Sequence, residues 1–153
     1  MANEAYRAVF LRVHPTGKMV LSLTTESDGK EPEYAQLVAR ELGVPPLDVK
    51  VVPADTDRFG EGHGFNTAPS PGTEAAIVSA TGKIREKAQL LAGAALGAPP
   101  ETLTWRNGAF TSGDGSDPTQ AKTIEDIAMY AHGSGALPPG VEGGLDGQTV
   151  YRE

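Results

Sequence analysis

The sequence predicts one small α+β domain, whose elements follow each other in the order β-β-α-β-α-β-β-α. Two observations support this mixed class: short runs rich in Val, Leu, Phe and Thr lie between turn signals, and longer segments carry apolar residues at helical spacing. The chain has 153 residues, of which 39% are apolar, and this is enough for one hydrophobic core. We therefore expect helices packed against a sheet.

The strands are predicted from residue type and from the turns that separate them. Residues 7–13 and 19–24 flank residues 15–18, which contain a proline and a glycine, and together they predict a β-hairpin. Three valines in residues 49–52 predict a short strand. A second hairpin is expected around residues 106–108, because an Asn-Gly pair favours a type I′ turn.

Three helices are predicted from apolar periodicity and from their end signals. The first covers residues 33–42, where Gly43 is a candidate for a left-handed C-cap. The second covers residues 73–96, with one apolar stripe and charged residues around it. The third begins at Ile124, with Thr123 as its N-cap and acidic residues in its first turn.

The end of the chain differs from the rest in composition. Between residues 133 and 148, glycine and proline are frequent and apolar residues are few. This composition predicts an extended tail over residues 133–153 that packs only if a partner receives it. The domain itself is then expected to span residues 1–132.

Charge and composition exclude several classes of function. The chain carries 13 basic and 20 acidic residues, a net charge of −7, so electrostatics attract it neither to nucleic acid nor to anionic membranes. The absence of cysteine excludes disulfides, iron–sulfur clusters, thiolate zinc sites and a cysteine nucleophile. No run is long and apolar enough for a secretory or transmembrane segment, so a cytoplasmic location is expected.

The passage between residues 53 and 72 is polar, rich in glycine and without periodicity, and long loops of this kind are often functional. Glu61 and His63 lie there in a glycine-rich run and are candidate catalytic residues, with either as a base. The alternative is a plain flexible loop. Nearby acidic side chains fit no metal-binding spacing, and no metal site is predicted.

Several short segments, in order and at matching intervals, carry a resemblance to a known family. They are Arg-Val-His-Pro-Thr-Gly at 12–17, Glu-Leu-Gly-Val-Pro-Pro at 41–46, Asp-Val-Lys-Val-Val at 48–52, Asp-Thr-Asp at 55–57 and Thr-Ile-Glu-Asp-Ile-Ala at 123–128. Together they resemble the large subunit of the molybdenum hydroxylases, the family of xanthine dehydrogenase, aldehyde oxidase and aerobic carbon monoxide dehydrogenase. The resemblance spans roughly residues 7–152.

The resemblance implies a function as part of a larger oxidoreductase. In this family the large subunit is several times longer and holds a molybdopterin cofactor, while an iron–sulfur subunit and usually a flavin subunit carry electrons away. The chain is therefore expected to be a small subunit that completes the molybdopterin-holding half of such a complex. Its expected partner is a larger molybdenum hydroxylase chain, and we do not expect it to be an enzyme alone.

The resemblance also places two cofactor loops on this sequence. The family's Gln-Gly-Gln-Gly-His-Glu loop falls on residues 26–31, where Gly29 and Glu31 match and Lys30 replaces the histidine. The second loop falls on Phe65, Asn66 and Thr67. These six residues are the expected cofactor-binding residues.

The first loop departs from the family pattern at Glu26 and Asp28, which stand where the family has glutamine. Ionised carboxylates only accept hydrogen bonds, and they add negative charge beside an anionic pyrophosphate. This departure keeps an alternative open: a stand-alone descendant that binds no cofactor and has lost redox chemistry. Such a protein would act as a binding or homo-oligomerising module, or as a lyase, hydratase or hydrolase that uses the loop 60–67.

Overall fold

The computed structural model describes residues 6–25, 27, 29–53, 72–106, 108–113, 118–133, 137, 141 and 143–152. Over these residues the chain forms seven strands and three helices. In chain order they are β1 (Tyr6–Val13), β2 (Met19–Leu23), α1 (Glu31–Leu42), β3 (Val49–Val52), α2 (Thr73–Leu96), β4 (Thr104–Arg106), β5 (Ala109–Thr111), β6 (Ala121–Thr123), α3 (Ile124–His132) and β7 (Leu145–Arg152). The predicted α+β class is confirmed.

The strands form two sheets. The first has the order β3-β2-β1-β7, and the second has the order β4-β5-β6. All neighbouring strands are antiparallel except β2 and β3, which are parallel and are connected through α1. The parallel pair matters for the site, because both of its strands end at the same edge of the sheet.

One face of the first sheet, here called the inner face, packs against the helices. Val9, Leu11 and Leu21 on this face are at most 1% exposed, and they share a core with buried residues of all three helices. Helix α2 approaches β7 so closely that a Cβ at Gly147 would collide with the carbonyl oxygen of Ala80. The opposite face is here called the outer face.

All three predicted helices are present, and one of them begins earlier than predicted. α2 spans the predicted residues 73–96. At the start of α3, the Thr123 hydroxyl accepts from the Asp126 backbone N–H at 3.1 Å, and the Asp126 carboxylate accepts from the Thr123 N–H at 3.0 Å, which completes a capping box. α1 ends at the predicted Gly43 cap (φ +68°) but begins at Glu31, two residues before the predicted start, because Pro32 suits the first turn of a helix.

Two strands are absent from the predicted order. β6 is a three-residue strand that pairs with β5. Leu145–Arg152, within the segment predicted as a tail, form β7, which pairs with β1 along its whole length. β7 could not be predicted from composition because few of its residues are apolar. It nevertheless packs on the core: Leu145 is fully buried, and Gly147 allows the close approach of α2.

Candidate functional site

The parallel strands β2 and β3 both end at one edge of the first sheet. The segment after β2 leads into α1, and the segment after β3 leads into α2, so both helices begin at this edge. In sheets with parallel strands, ligands commonly bind beyond the carboxyl ends of the strands, and helix N-termini favour negative charge there. We call this region the carboxyl edge and define it by Arg7, residues 24, 25, 27 and 29–34, residues 72–73 and Tyr151.

The first loop is a tight turn that runs directly into α1. Gly29 has φ +78°, a conformation that favours glycine, and a Cβ at this position would meet nothing within 4 Å. The Lys30 backbone N–H donates to the Ser27 carbonyl at 3.0 Å, and the Lys30 carbonyl accepts from the Tyr34 N–H at 2.9 Å. The predicted residues Gly29, Lys30 and Glu31 therefore lie together at the start of α1, with open space beside Gly29.

Glu31 is held as a carboxylate. The Ser27 hydroxyl donates a hydrogen bond to it, and this bond, followed by one from its own backbone N–H, keeps the pKa of Glu31 below the ordinary 4.5. Its second oxygen, Oε2, is buried and has no hydrogen-bond donor among the described residues. Glu31 therefore brings a negative charge to the carboxyl edge.

Buried polar side chains are concentrated at the carboxyl edge. Among the described residues, six polar or charged side chains are buried, and all except Thr81 lie there: Arg7, Thr24, Thr25, Ser27 and Thr73. The Thr24 hydroxyl accepts from the Ala8 backbone N–H at 2.8 Å and donates to the Ala8 carbonyl at 3.2 Å. Arg7 is 8% exposed and lies opposite Tyr151 in the register of β1 and β7.

Hydroxyl groups connect three elements at this edge. Thr73 Oγ1, in the first turn of α2, lies 3.2 Å from Tyr151 OH on β7. Tyr34 of α1 also hydrogen-bonds the Thr73 hydroxyl. Burial raises the pKa of Tyr34 above its ordinary value of 10.0, and the bond from Thr73 opposes this effect. The network ties α1, α2 and β7 together beside the first loop.

Several predicted site residues lie outside the described residues. These are the catalytic candidates Glu61 and His63 and the second-loop residues Phe65, Asn66 and Thr67. Their roles stay predictions. Among the described residues, no group of three or more His, Asp or Glu side chains could hold a metal ion. In the same part of the chain, no helix has the length and apolar character that crossing a membrane requires.

Sequence reasoning missed Arg7, Thr25, Tyr34, Thr73 and Tyr151. The sequence did contain a signal for Arg7. Residues 7, 9, 11 and 13 lie on the same face of a strand, and Val9, Leu11 and Val13 are apolar, so the pattern predicts Arg7 on the inner face beside the core. No comparable signal existed for Tyr151, because its strand was not predicted. The first-loop residues were found only through the family resemblance.

A mixed sheet with one face covered by three helices, and with the N-termini of α1 and α2 at one edge, defines a small α+β domain. A family model of the molybdopterin cofactor-binding domain matches residues 1–153. The chain therefore belongs to the molybdopterin cofactor-binding domain family, as found in the large subunits of molybdenum hydroxylases.

Curated relatives point to the same family. The chain is 33% identical over 144 residues to the carbon monoxide dehydrogenase large chain of Afipia carboxidovorans, and 34% identical over 145 residues to that of Hydrogenophaga pseudoflava. Each comparison covers 92% of this chain and 17% of the relative. The chain thus spans about a sixth of the length of these relatives.

Solved structures agree with the fold. The CO dehydrogenase of Oligotropha carboxidovorans, in reconstituted form, superposes with a TM-score of 0.81 at 29% identity, over 97% of this chain and 18% of that chain. Quinoline 2-oxidoreductase from Pseudomonas putida 86 superposes with a TM-score of 0.74 at 24% identity, over 96% of this chain and 19% of that one. The second likeness concerns the fold alone.

Proposed function

We propose that this chain is a small subunit that completes the molybdopterin-holding half of a cytoplasmic oxidoreductase of the molybdenum hydroxylase type. A longer chain supplies the rest of the cofactor site, and iron–sulfur and flavin subunits carry the electrons away. The observation that carries the proposal is the position of the first loop: Gly29, Lys30 and Glu31 lie at the carboxyl edge, where the family resemblance expects cofactor contacts.

The described residues of the carboxyl edge suit the anionic end of such a cofactor. The N-termini of α1 and α2 and the largely buried Arg7 favour negative charge there, and they oppose the charge that the Glu31 carboxylate brings. The backbone at Gly29 can be approached closely, because nothing lies within 4 Å of a Cβ built there. Bound molybdopterin would supply the metal for oxidative hydroxylation, while Gly29 and Lys30 would contact it and Ser27 would hold Glu31 in place.

The dependence on a longer chain is supported by the comparisons. This chain matches 17% of each carbon monoxide dehydrogenase large chain, so the rest of such a chain would come from a partner. The chemistry at the metal is therefore assigned to the partner. This chain's own contribution is to position cofactor contacts at the carboxyl edge.

The first test is native mass and metal analysis of protein purified from its own host through a tag on this chain. We expect a longer chain of the same family, molybdenum and iron to copurify in a fixed ratio. A monomer or homo-oligomer without molybdenum would reject the proposal and favour the stand-alone module or the non-redox enzyme.

A matched pair of glycine variants tests the role of the first loop. Gly29 and Gly97 both have positive φ (+78° and +68°), and a Cβ at either position meets nothing within 4 Å. Alanine at either position should therefore cost a similar amount of stability, about 1 kcal/mol. We expect Gly29→Ala to lower the molybdenum content of the purified complex several-fold and Gly97→Ala, at the far end of α2, to leave it unchanged. Equal molybdenum content in both variants would remove the first loop from the cofactor site.

A further inference from the structure

The two buried threonines of α2 differ in what their hydroxyls bind. Thr73 and Thr81 are 1% and 0% exposed. The Thr81 hydroxyl donates to the Val78 carbonyl at 2.9 Å, so its hydrogen bond stays within the helix. The Thr73 hydroxyl instead bonds two other elements, through Tyr34 of α1 and Tyr151 of β7. Thr73 therefore connects the start of α2 to its neighbours, whereas the hydroxyl of Thr81 serves α2 alone.

The hydroxyl network reaches the first loop through Tyr34. This residue is 4% exposed and lies in the first turn of α1, where its backbone N–H donates to the Lys30 carbonyl at 2.9 Å. The Lys30 N–H in turn donates to the Ser27 carbonyl at 3.0 Å, which closes the turn that contains Gly29. Tyr34 is thus bonded to the first loop by its backbone and to α2 by its hydroxyl.

The starts of α1 and α2 have no side-chain cap among the described residues. Their N-cap residues, Lys30 and Gly72, make no side-chain cap hydrogen bond, whereas Thr123 and Asp126 form a complete capping box on α3. A side-chain cap stabilises a helix start by bonding its first backbone N–H groups. Since α1 and α2 lack this support, the positions of their first turns depend more on contacts with other elements.

Hydrogen bonds between the two helix starts fix their relative position more tightly than apolar packing does. Elsewhere α1 and α2 meet in the apolar core, for example through Val38 and Ile77. Apolar attraction is not directional, whereas a hydrogen bond depends on both distance and angle. This difference matters at a binding site, because a misplacement of about 1 Å is enough to weaken the contacts to a bound group strongly.

We infer that Tyr34 and Thr73 are positioning residues of the carboxyl edge, whose hydrogen bond holds the first loop against the start of α2 so that the loop meets the cofactor. Tyr151 anchors this pair to β7 through its bond to Thr73 at 3.2 Å. The inference rests on the proposed function, since it concerns the same site, and it adds the residues that set the position of the loop. Tyr34 and Thr73 act through the backbone of the first loop, and the contacts to the cofactor belong to Gly29 and Lys30.

The first experiment measures hydrogen exchange of the Lys30 amide by NMR in the full chain. Thr73→Val and Thr81→Val both replace a buried threonine hydroxyl of α2 by a methyl group, so Thr81→Val is the matched control. We expect Thr73→Val to speed exchange at Lys30 about fivefold or more, and Thr81→Val to leave it near the wild-type rate. Thr73→Ser keeps the hydroxyl and should retain slow exchange. Equal rates at Lys30 in the two valine variants, or fast exchange in the serine variant, would overturn the inference.

The second experiment measures the molybdenum content of the complex purified through a tag on this chain, which reports the cofactor and not activity. We expect Thr73→Val and Tyr34→Phe each to lower molybdenum per longer chain several-fold. The double variant should lower it no further, because both single changes remove the same hydrogen bond. Thr73→Ser and Thr81→Val should keep the wild-type content.

The outcomes separate this inference from the proposed function. If the unchanged chain brings down the longer chain and molybdenum, and Thr73→Val does so equally, the inference fails while the proposed function stands. An equal loss in Thr81→Val, or additive losses in the double variant, also refutes the positioning role. If the unchanged chain brings down neither the longer chain nor molybdenum, the proposed function fails first and the inference fails with it.

Discussion

The two ends of the first sheet bury different kinds of side chain. At the end where β2 and β3 begin, here called the amino edge, the buried residues are apolar: Val13, Met19, Val49 and Leu145 are at most 7% exposed. At the carboxyl edge the buried residues include Arg7 and four hydroxyl side chains. Buried polar groups cost free energy unless they are hydrogen-bonded, whereas buried apolar residues need no such partners. The contrast shows that the amino edge is packed with apolar side chains, and it supports the proposal that the carboxyl edge contacts a ligand.

The largest expected effect is at the amino edge. Met19 is 1% exposed, and Met19→Ala should lower the free energy of unfolding by about 2–5 kcal/mol, because it removes buried apolar contacts and leaves a cavity. Urea denaturation of the isolated chain measures this loss. The neighbouring Val20→Ala, at a site 40% exposed on the outer face, should cost less than about 1 kcal/mol. Similar losses in both variants would contradict the assignment of the two faces.

The second effect is at the carboxyl edge and concerns one hydroxyl. Thr24→Val keeps the shape of a fully buried side chain but removes the acceptor of the Ala8 N–H. Leaving that donor unsatisfied should cost about 1–3 kcal/mol. Thr24→Ser keeps the hydroxyl and should cost less than the valine variant in the same urea measurement. A valine variant as stable as wild type would show that this polar burial is not needed for stability.

The same contrast separates what the sequence predicts from what it does not. Local signals were enough for the first hairpin, α2 and the Thr123 cap, because alternation, periodicity and capping residues act over a few neighbours. They failed for β7, whose place in the sheet depends on pairing with β1 more than 130 residues earlier. Tyr151 reaches the carboxyl edge only through that pairing. The local signals of the sequence therefore do not reveal a site assembled by long-range pairing, and the first loop was found only through the family resemblance.

A smaller effect concerns the titration of Tyr34. Burial raises the pKa of Tyr34, so its neutral form stabilises the fold at neutral pH, and this contribution is lost as the pH rises from about 10.0 through the folded-state pKa. Thr73→Val removes the hydrogen bond that lowers this pKa and should raise it further. Site-resolved NMR of ¹³C-labelled tyrosine measures the shift. Thr81→Val, at a buried threonine that instead donates to the Val78 carbonyl, should leave it unchanged. Identical curves for both variants would show that Thr73 does not act on Tyr34.

The smallest effect concerns the hydrogen bond from Ser27 to Glu31 in the first loop. The pKa of Glu31 is lowered chiefly by the Ser27 hydroxyl, so Glu31 contributes stability above its ordinary pKa of 4.5, and that contribution is lost as the pH falls through the folded-state value. Ser27→Ala should move the pKa of Glu31 upward, toward 4.5, and weaken the loss of stability in acid. Ser27→Thr keeps a hydroxyl and should retain part of the lowered pKa. Carboxyl-carbon NMR between pH 2 and 7 follows the residue directly. If the titration of Glu31 is unchanged in Ser27→Ala, its carboxylate is held by the backbone of α1 alone. The position of Glu31 in the first loop would then not depend on the buried hydroxyl groups beside it.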